Sequence, residues 1–191
     1  MKKIAIFASG GGSNALKIIE HFANNETIEV ALIISNKSKA GVLEKAKNHN
    51  IPSLIINRTS FRETEDLLAE FQSRSIDFIV LAGFLWLIPT YLVDAFPNRI
   101  VNIHPALLPK YGGKGMYGMN VHRAVHAAKE PFSGMTIHFV NARYDEGNII
   151  FQAQCKLLEQ DSPEVISQKV LALEHQYFPK IIEKVINEEV I

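Results

Sequence analysis

The stretch Lys3–Ala15, KIAIFASGGGSNA, decides the fold. It joins a short apolar run to a turn of three glycines, and a helical pattern follows directly. In that pattern, Ser13–Asn24, apolar residues recur at three-residue steps as Leu16, Ile19 and Phe22. A short apolar run bounded by glycines is typical of a buried strand. The stretch therefore predicts a strand, a tight turn and a helix, the opening unit of an α/β sheet.

Short apolar runs and amphipathic runs alternate along the first half of the chain. This β-α-β-α-β-α-β order predicts parallel strands with helices on both faces of the sheet. The last helix of this half opens with Ser60-x-x-Glu63, the pattern of a capping box. Further strands are predicted at Ile28–Ser35, Ser53–Ile56, Phe78–Ala82 and Ile100–Asn102, and further helices at Val42–Asn48 and Ser60–Arg74.

The alternation of short apolar runs and amphipathic runs ends after residue 102. A loop rich in glycine is predicted at 103–119, then a short helix, Asn120–Lys129, and two strands, Thr136–Val140 and Asn148–Gln154, that pair as a hairpin. Pro163 is expected at the first position of a last helix that runs toward Val185. The predicted fold class is α/β: a Rossmann-like, mostly parallel sheet with helices on both faces and an antiparallel C-terminal addition. Ligands of such sheets bind beyond the carboxyl ends of the strands.

Composition excludes several classes of protein. The 191 residues carry 20 Lys and Arg against 20 Asp and Glu, and this balance argues against a nucleic-acid-coating protein. The one cysteine, Cys155, excludes an internal disulfide, and His122 and His126 lack the neighbouring glutamate of a zinc protease, so no metal is expected. The first apolar run has five residues, fewer than the roughly 7–15 of an export signal, and no run approaches the ~18–20 of a membrane span. We therefore expect a soluble, cytoplasmic protein without membrane contact.

The glycine turn predicts an anion site. Residues 10–15 fit the pattern G-x-G-x-x-[GA] between a strand and a helix, where free N–H groups and the positive helix end favour a phosphate. A dinucleotide site would also need an acidic residue at the end of the second strand, where Ser35-Asn36-Lys37 stands. The sequence therefore favours a single phosphate, while a tight turn without a ligand stays an alternative.

Asn102-Ile103-His104-Pro105 ends the fifth predicted strand. Because side chains alternate along a strand, Asn102 and His104 are expected to point the same way, and Pro105 favours an extended His104. An amide donor beside an imidazole suits a reaction that develops negative charge on a carbonyl oxygen. Asp145, in the connection 141–147, is a candidate partner that would raise the pKa of His104. The sequence alone leaves open whether Asp145 reaches His104 or is a solvated turn residue.

Six segments carry a family resemblance: Ser9–Asn14, Ser35–Lys37, Leu81–Phe84, Asn102–Pro109, His138–Val140 and Asp145–Gly147. In this order they resemble the formyltransferases that use 10-formyltetrahydrofolate, above all those that formylate glycinamide ribonucleotide in purine synthesis. The resemblance implies an enzyme with 10-formyltetrahydrofolate as co-substrate, no metal, and small molecules rather than nucleic acid or membrane as partners. It also implies a monomer or homodimer built from one domain, 1–191, with a phosphate-binding half at 1–100 and a catalytic and folate-binding half at 101–191.

The resemblance also implies roles for individual residues. Asn102 would stabilise an oxyanion, His104 would act as general acid, and Asp145 would raise the pKa of His104. The implied ribonucleotide-binding residues are Gly12, Ser13, Asn14 and Glu174, and the implied folate-binding residues are Arg62, Leu85, Trp86, Leu87, Ile88, Asn102 and Val140.

The sequence departs from the family pattern at Trp86, Glu146 and Leu171, and in the longer stretch 111–120. Formyl-folate enzymes that act on methionyl-tRNA, or that hydrolyse formyltetrahydrofolate, carry an additional domain for which 191 residues are expected to leave no room. Two alternatives stay open: a formyltransferase acting on the amine of a sugar nucleotide, and a nucleotide-binding module without catalytic activity.

Overall fold

A seven-stranded sheet forms the centre of the protein, whose computed structural model describes residues 1–188. The strand order is β3-β2-β1-β4-β5-β6-β7. The first five strands pair in parallel, and β6 and β7 are added antiparallel beyond β5. This confirms the predicted fold class. The strands are β1 Lys2–Phe7, β2 Ile28–Ser35, β3 Ser53–Ile55, β4 Phe78–Leu81, β5 Ile100–His104, β6 Phe132–Phe139 and β7 Ile149–Lys156.

Seven helices in the described residues cover the two faces of the sheet. They are α1 Ser13–Phe22, α2 Gly41–Asn48, α3 Arg58–Glu63, α4 Asp66–Arg74, α5 Thr90–Ala95, α6 Met119–Ala127 and α7 Pro163–Glu188. Alternation along β1 sends Ile4 and Ile6 to one face and Ala5 and Phe7 to the other. The first face packs on α1, α2, α6 and α7, and the second on α3, α4 and α5. Two apolar cores therefore hold the sheet from both sides.

The predicted helix Ser60–Arg74 is wrong, because two shorter helices stand in its place. Asn57 begins the first of them, its side-chain oxygen accepting from the Ser60 N–H at 2.9 Å, so the predicted capping box does not form. Thr64 is extended, with φ −125° and ψ 162°, and its hydroxyl donates to Asp66 at 2.8 Å. Side chains that bond the local backbone and each other end one helix and begin the next.

Other elements differ from the predictions mainly at their ends. The short helix α5 was not predicted; it follows Pro89 and buries Leu92. Strands β6 and β7 are eight residues each, longer than expected, and pair from Phe132 to His138. Pro163 is the first residue of α7, as predicted.

The strand order reverses between β1 and β4, because β2 lies on one side of β1 and β4 on the other. The chain leaves the carboxyl ends of β1, β4 and β5 at this point. In a sheet of this kind a ligand binds in the crevice that such a reversal opens. The segments that follow these three strands are therefore the ones that can build a site.

Candidate active site

A cleft of about 350 Å³ opens at the carboxyl ends of β4 and β5. Its walls come from segments distant in sequence, which the reversal of strand order brings together. Most of the exposed wall is apolar. The lining is formed by 83–88, 102–105, 113–117 and 143–145, with Leu81, His138 and Val140.

The carboxylate of Asp145 is the centre of the polar part of the cleft. One oxygen, Oδ2, lies 3.6 Å from Nδ1 of His104 and accepts from the backbone N–H of Gly113 at 2.9 Å. The other, Oδ1, lies 3.4 Å from Nδ2 of Asn102 and 3.6 Å from Nε2 of His138. Asn102 and His104 therefore point the same way, as predicted, and Asp145 reaches both rather than standing in solvent.

The environment of Asp145 favours its charged form. Burial alone would raise the pKa of this carboxyl group. The interactions with His138, His104 and the Gly113 N–H together outweigh burial, so that the pKa lies below its ordinary value. Asp145 is thus a carboxylate at neutral pH, and it is only 11% exposed.

His104 is buried, and its two nitrogens are held differently. Nε2 donates to the carbonyl oxygen of Tyr111 at 2.8 Å, while Nδ1 faces Asp145. Tyr111 has a left-handed backbone, φ 57°, and its hydroxyl donates to Glu130 at 2.8 Å. These contacts fix the loop that carries the Tyr111 carbonyl against the imidazole.

Asp145 acts on the pKa of His104 in the expected direction and raises it, but the net shift is a lowering. Burial is the largest influence, and it lowers the pKa of His104 below the ordinary value. The charge of Asp145 and the Tyr111 carbonyl raise the pKa, but they offset only part of that lowering. The loss of hydration destabilises the imidazolium more than a single carboxylate 3.6 Å away stabilises it. Burial therefore favours the neutral form of this imidazole in the ligand-free site.

Two groups that touch this centre were not assigned roles from the sequence. His138 contacts Asn102 at 3.0 Å, and Gly113 donates to Asp145. The pairing register sets His138 directly opposite Asn102 across β5 and β6. The sequence places both residues in predicted strands, but it does not predict that they lie opposite each other, because the register depends on the folded sheet.

The predicted folate-binding residues divide into two groups. Leu85, Trp86, Leu87, Ile88, Val140 and Asn102 all line the cleft. The ring centroid of Trp86 lies 5.7 Å from that of Phe61 and 6.0 Å from that of Phe84, so the three aromatic rings pack together behind this part of the cleft. Arg62 is exposed on α3, next to Phe61, and does not line the cleft.

The glycine turn lies at the N-terminus of α1, and its shape requires glycine at residue 12. Gly12 has φ +71°, and a Cβ there would lie 2.6 Å from Cβ of Val42. The helix has no side-chain cap, so its first N–H groups are free to meet an anion. Ser9 Oγ accepts from the Leu85 N–H at 3.0 Å, which ties this turn to the wall of the cleft.

Asn14 and Glu174 form one side of the turn. Asn14 Nδ2 donates to Glu174 Oε2 at 2.6 Å, from α1 to α7. Burial raises the pKa of Glu174 to about 6, although the Asn14 hydrogen bond lowers it in part. The structure therefore brings Gly12, Ser13, Asn14 and Glu174 together at the turn, which Ser9 ties to the wall of the cleft.

The described residues 1–188 lack two kinds of feature. In that part of the chain, no group of three or more His, Cys, Asp or Glu side chains could hold a metal ion. None of its helices combines the length and the apolar character that crossing a bilayer would need.

A model of the formyl transferase family matches residues 2–182. The chain belongs to the formyl transferase family. The family match covers every element from β1 to most of α7, including both the glycine turn and the cleft. The prediction of a formyltransferase is confirmed.

Relatives within the formyl transferase family carry one name repeatedly. The chain is 42% identical over 196 residues to the chloroplastic phosphoribosylglycinamide formyltransferase of Arabidopsis thaliana, covering 99% of this chain and 67% of that protein. It is 36% identical over 188 residues to the phosphoribosylglycinamide formyltransferase of Haemophilus influenzae, covering 96% of this chain and 86% of that protein. For another plant relative, from Vigna unguiculata, the chain spans 62% of the relative's length.

A solved member of the family has the same fold. The crystal structure of phosphoribosylglycinamide formyltransferase from Bacillus halodurans is 36% identical, with a TM-score of 0.87, and the match covers 97% of this chain and 95% of that one. Similarity at this level extends over the whole sheet and its helices. It confirms the Rossmann-like arrangement predicted from the sequence.

Proposed function

We propose that this chain transfers the formyl group of 10-formyltetrahydrofolate to the amine of glycinamide ribonucleotide, giving formylglycinamide ribonucleotide and tetrahydrofolate. The observation that carries the proposal is the position of Asp145, whose carboxylate oxygens lie 3.6 Å from His104 Nδ1 and 3.4 Å from Asn102 Nδ2. The shared name of the relatives in purine synthesis supports the choice of substrates.

In the proposed reaction the amine nitrogen attacks the formyl carbon, and the carbonyl electron pair moves onto the formyl oxygen. N–H groups of Asn102 and His104 donate to this oxyanion. The oxyanion and Asp145 both favour a charged imidazole, so a water beside Asp145 can pass the proton that the amine loses to Nδ1 of His104. The imidazolium then gives the Nε2 proton to the departing folate nitrogen, the bond from the formyl carbon to that nitrogen breaks, and the carbonyl reforms. No covalent bond to the protein is needed.

The phosphate of the ribonucleotide is proposed to bind the glycine turn. The uncapped N–H groups of Ser13 and Asn14 and the positive end of α1 favour an anion there. Gly12 keeps the backbone close enough for contact, since any side chain would meet Val42. Glu174, held by Asn14, is then available to accept from a ribose hydroxyl.

The folate is proposed to fill the cleft against Leu85, Trp86, Leu87, Ile88 and Val140. A wall whose exposed surface is mostly apolar suits a flat aromatic ligand. Arg62 stands outside the cleft, and we assign it to the carboxylate tail of the folate where that tail leaves the protein.

We propose that the two halves of the chain supply different parts of the site. Residues 1–100 would supply the phosphate site and the folate-binding residues from Arg62 to Ile88. Residues 101–191 would supply the catalytic residues, with Asn102 and Val140 also facing the folate, within one domain. A cytoplasmic location and a monomeric or homodimeric state complete the proposal; size-exclusion chromatography with light scattering tests the second.

Formyl transfer from 10-formyltetrahydrofolate tests the function directly. We would offer glycinamide ribonucleotide, its dephosphorylated form and an amino-sugar nucleotide as separate acceptors. Turnover is expected with the first alone. Transfer only to the amino-sugar nucleotide would replace the proposed acceptor, and binding without any transfer would indicate a nucleotide-binding module.

Variants show whether the assigned residues carry the activity. His104→Ala and Asp145→Asn are expected to lower turnover at least ~100-fold with ribonucleotide binding kept. Glu146→Gln is the matched control, because Glu146 adjoins Asp145 in sequence but is exposed and paired with Arg143 at 3.2 Å. Unchanged turnover in either catalytic variant would contradict the roles.

A further inference from the structure

His138 is buried on β6, directly opposite Asn102 on β5. Its Nδ1 lies 2.8 Å from the carbonyl oxygen of Phe139, and its Nε2 lies 3.0 Å from Nδ2 of Asn102. A carbonyl oxygen can only accept, so Nδ1 must carry a proton. In the neutral imidazole Nε2 then has a lone pair and is an acceptor.

This tautomer decides which way the Asn102 amide is turned. A lone pair on Nε2 is satisfied only by the NH₂ end of the amide, since the oxygen end has no proton to give. The reversed amide would set its oxygen against both the Nε2 lone pair and the Asp145 carboxylate. His138 therefore accepts a hydrogen bond from one N–H of the Asn102 amide, and the other N–H of that amide points elsewhere.

The second N–H of Asn102 is only weakly engaged. It faces Asp145 Oδ1 at 3.4 Å, longer than the roughly 2.7–3.2 Å of a good hydrogen bond. Because Asn102 lines the cleft, this N–H is the one that can turn to a developing oxyanion. A fixed donor of this kind needs little reorganisation when charge appears.

The strand is built to hold His138 in this position. The register of β6 with β7 shifts between Ile137 and His138, an irregularity that re-aims a side chain. Gly147 packs so closely against the Phe139 carbonyl that no side chain would fit there. The Phe139 N–H also donates to Asn148 at 2.9 Å. The carbonyl that fixes the tautomer of His138 is thus itself held by its neighbours.

We propose that His138 is a positioning residue: by accepting from one N–H of Asn102, it directs the other toward the oxygen that becomes negative during formyl transfer. The inference rests on the proposed function. His138 touches no substrate in this scheme and acts only through Asn102.

A double-mutant cycle on turnover tests this directly. His138→Leu removes the acceptor, and it is expected to lower kcat by about 10- to 100-fold with KM for both substrates within about threefold. His138→Gln offers a carbonyl oxygen near the place of Nε2 and is expected to keep kcat within about fivefold of the wild type. Adding His138→Leu to Asn102→Ala should cause no further loss, because the two residues act as one unit.

Controls separate this role from a structural one. Ser133→Ala changes another buried side chain of β6 that does not touch Asn102, and its kcat should match the wild type. Thermal unfolding checks that each variant is folded. If His138→Leu does not fold, His138→Asn replaces it, since a shorter amide can still donate to Phe139 but does not reach Asn102.

The outcomes are distinct. Losses that multiply in the double variant, or a His138→Gln enzyme as slow as His138→Leu, would overturn the positioning role. A wild-type protein that transfers no formyl group at all would overturn the proposed function instead.

Discussion

Asn14 Nδ2 donates to Glu174 Oε2 at 2.6 Å, joining helices α1 and α7 across 160 residues of chain. Burial raises the pKa of Glu174 from 4.5 to about 6. The folded protein therefore binds this proton more tightly than the unfolded chain does. The contribution of this proton to the free energy of unfolding is present below pH 4.5 and decreases as pH rises from 4.5 to about 6. Above that range the contribution is absent. The shift corresponds to roughly 2 kcal/mol.

Glu174→Gln should remove this dependence, since glutamine stays neutral and its oxygen still accepts from Asn14. We compare the unfolding free energy of the variant with that of the wild type at each pH. This difference is expected to favour the variant by about 2 kcal/mol more at about pH 7.5 than at about pH 4. Urea unfolding at both pH values measures it, with the exposed Glu44→Gln as control. An equal difference between variant and wild type at the two pH values would contradict the prediction.

Gly12→Ala should weaken ribonucleotide binding much more than folate binding. The new Cβ would lie 2.6 Å from Val42 on a backbone with φ +71°, so the glycine turn must shift. We expect affinity for glycinamide ribonucleotide to fall at least ~10-fold by calorimetry. Gly10→Ala is the matched control, since a Cβ there meets nothing within 4 Å. Equal loss of both ligands in Gly12→Ala would place the phosphate elsewhere.

Asp145→Asn should lower the pKa of His104 further. The Asp145 charge is the main influence that raises this pKa, and burial, which lowers it, would remain. Titration of the imidazole C–H signals by NMR measures the effect, with Glu146→Gln expected to leave the pKa unchanged. A higher pKa of His104 in Asp145→Asn would show that the carboxylate does not act on this imidazole.

Trp86 should report folate binding by fluorescence. It is the single tryptophan of the sequence, and it lines the cleft between Phe61 and Phe84. Adding a folate analogue is expected to change its emission, whereas glycinamide ribonucleotide alone should leave the emission unchanged. Trp86→Phe keeps a ring and removes the signal. A response to ribonucleotide but not to folate would reverse the assignment of the two subsites.

The sequence predicted what depends on local pattern. β1, the glycine turn and α1 follow from adjacent residues, and the common direction of Asn102 and His104 follows from strand alternation. The break at Thr64 was missed. Asn57 accepts from the Ser60 N–H and Asp66 accepts from the Thr64 hydroxyl, and these local hydrogen bonds compete with a continuous helix.

Burial and register could not be predicted in the same way. The sequence supplied the partner that raises the pKa of His104, but not the packing that lowers it more strongly. Likewise His138 was visible as a strand residue, yet its place opposite Asn102 exists only once β5 and β6 are paired.

The hydrogen bond from His104 Nε2 to the Tyr111 carbonyl has a consequence for ligand affinity. The nitrogen that the proposed reaction uses as a donor is already satisfied by the protein's own main chain. A formyl donor that engages this nitrogen must displace the carbonyl, and its measured affinity is what remains after that exchange. A competitive inhibitor that leaves the Tyr111 contact intact avoids the exchange, and with equal contacts elsewhere it should bind more tightly than the co-substrate itself.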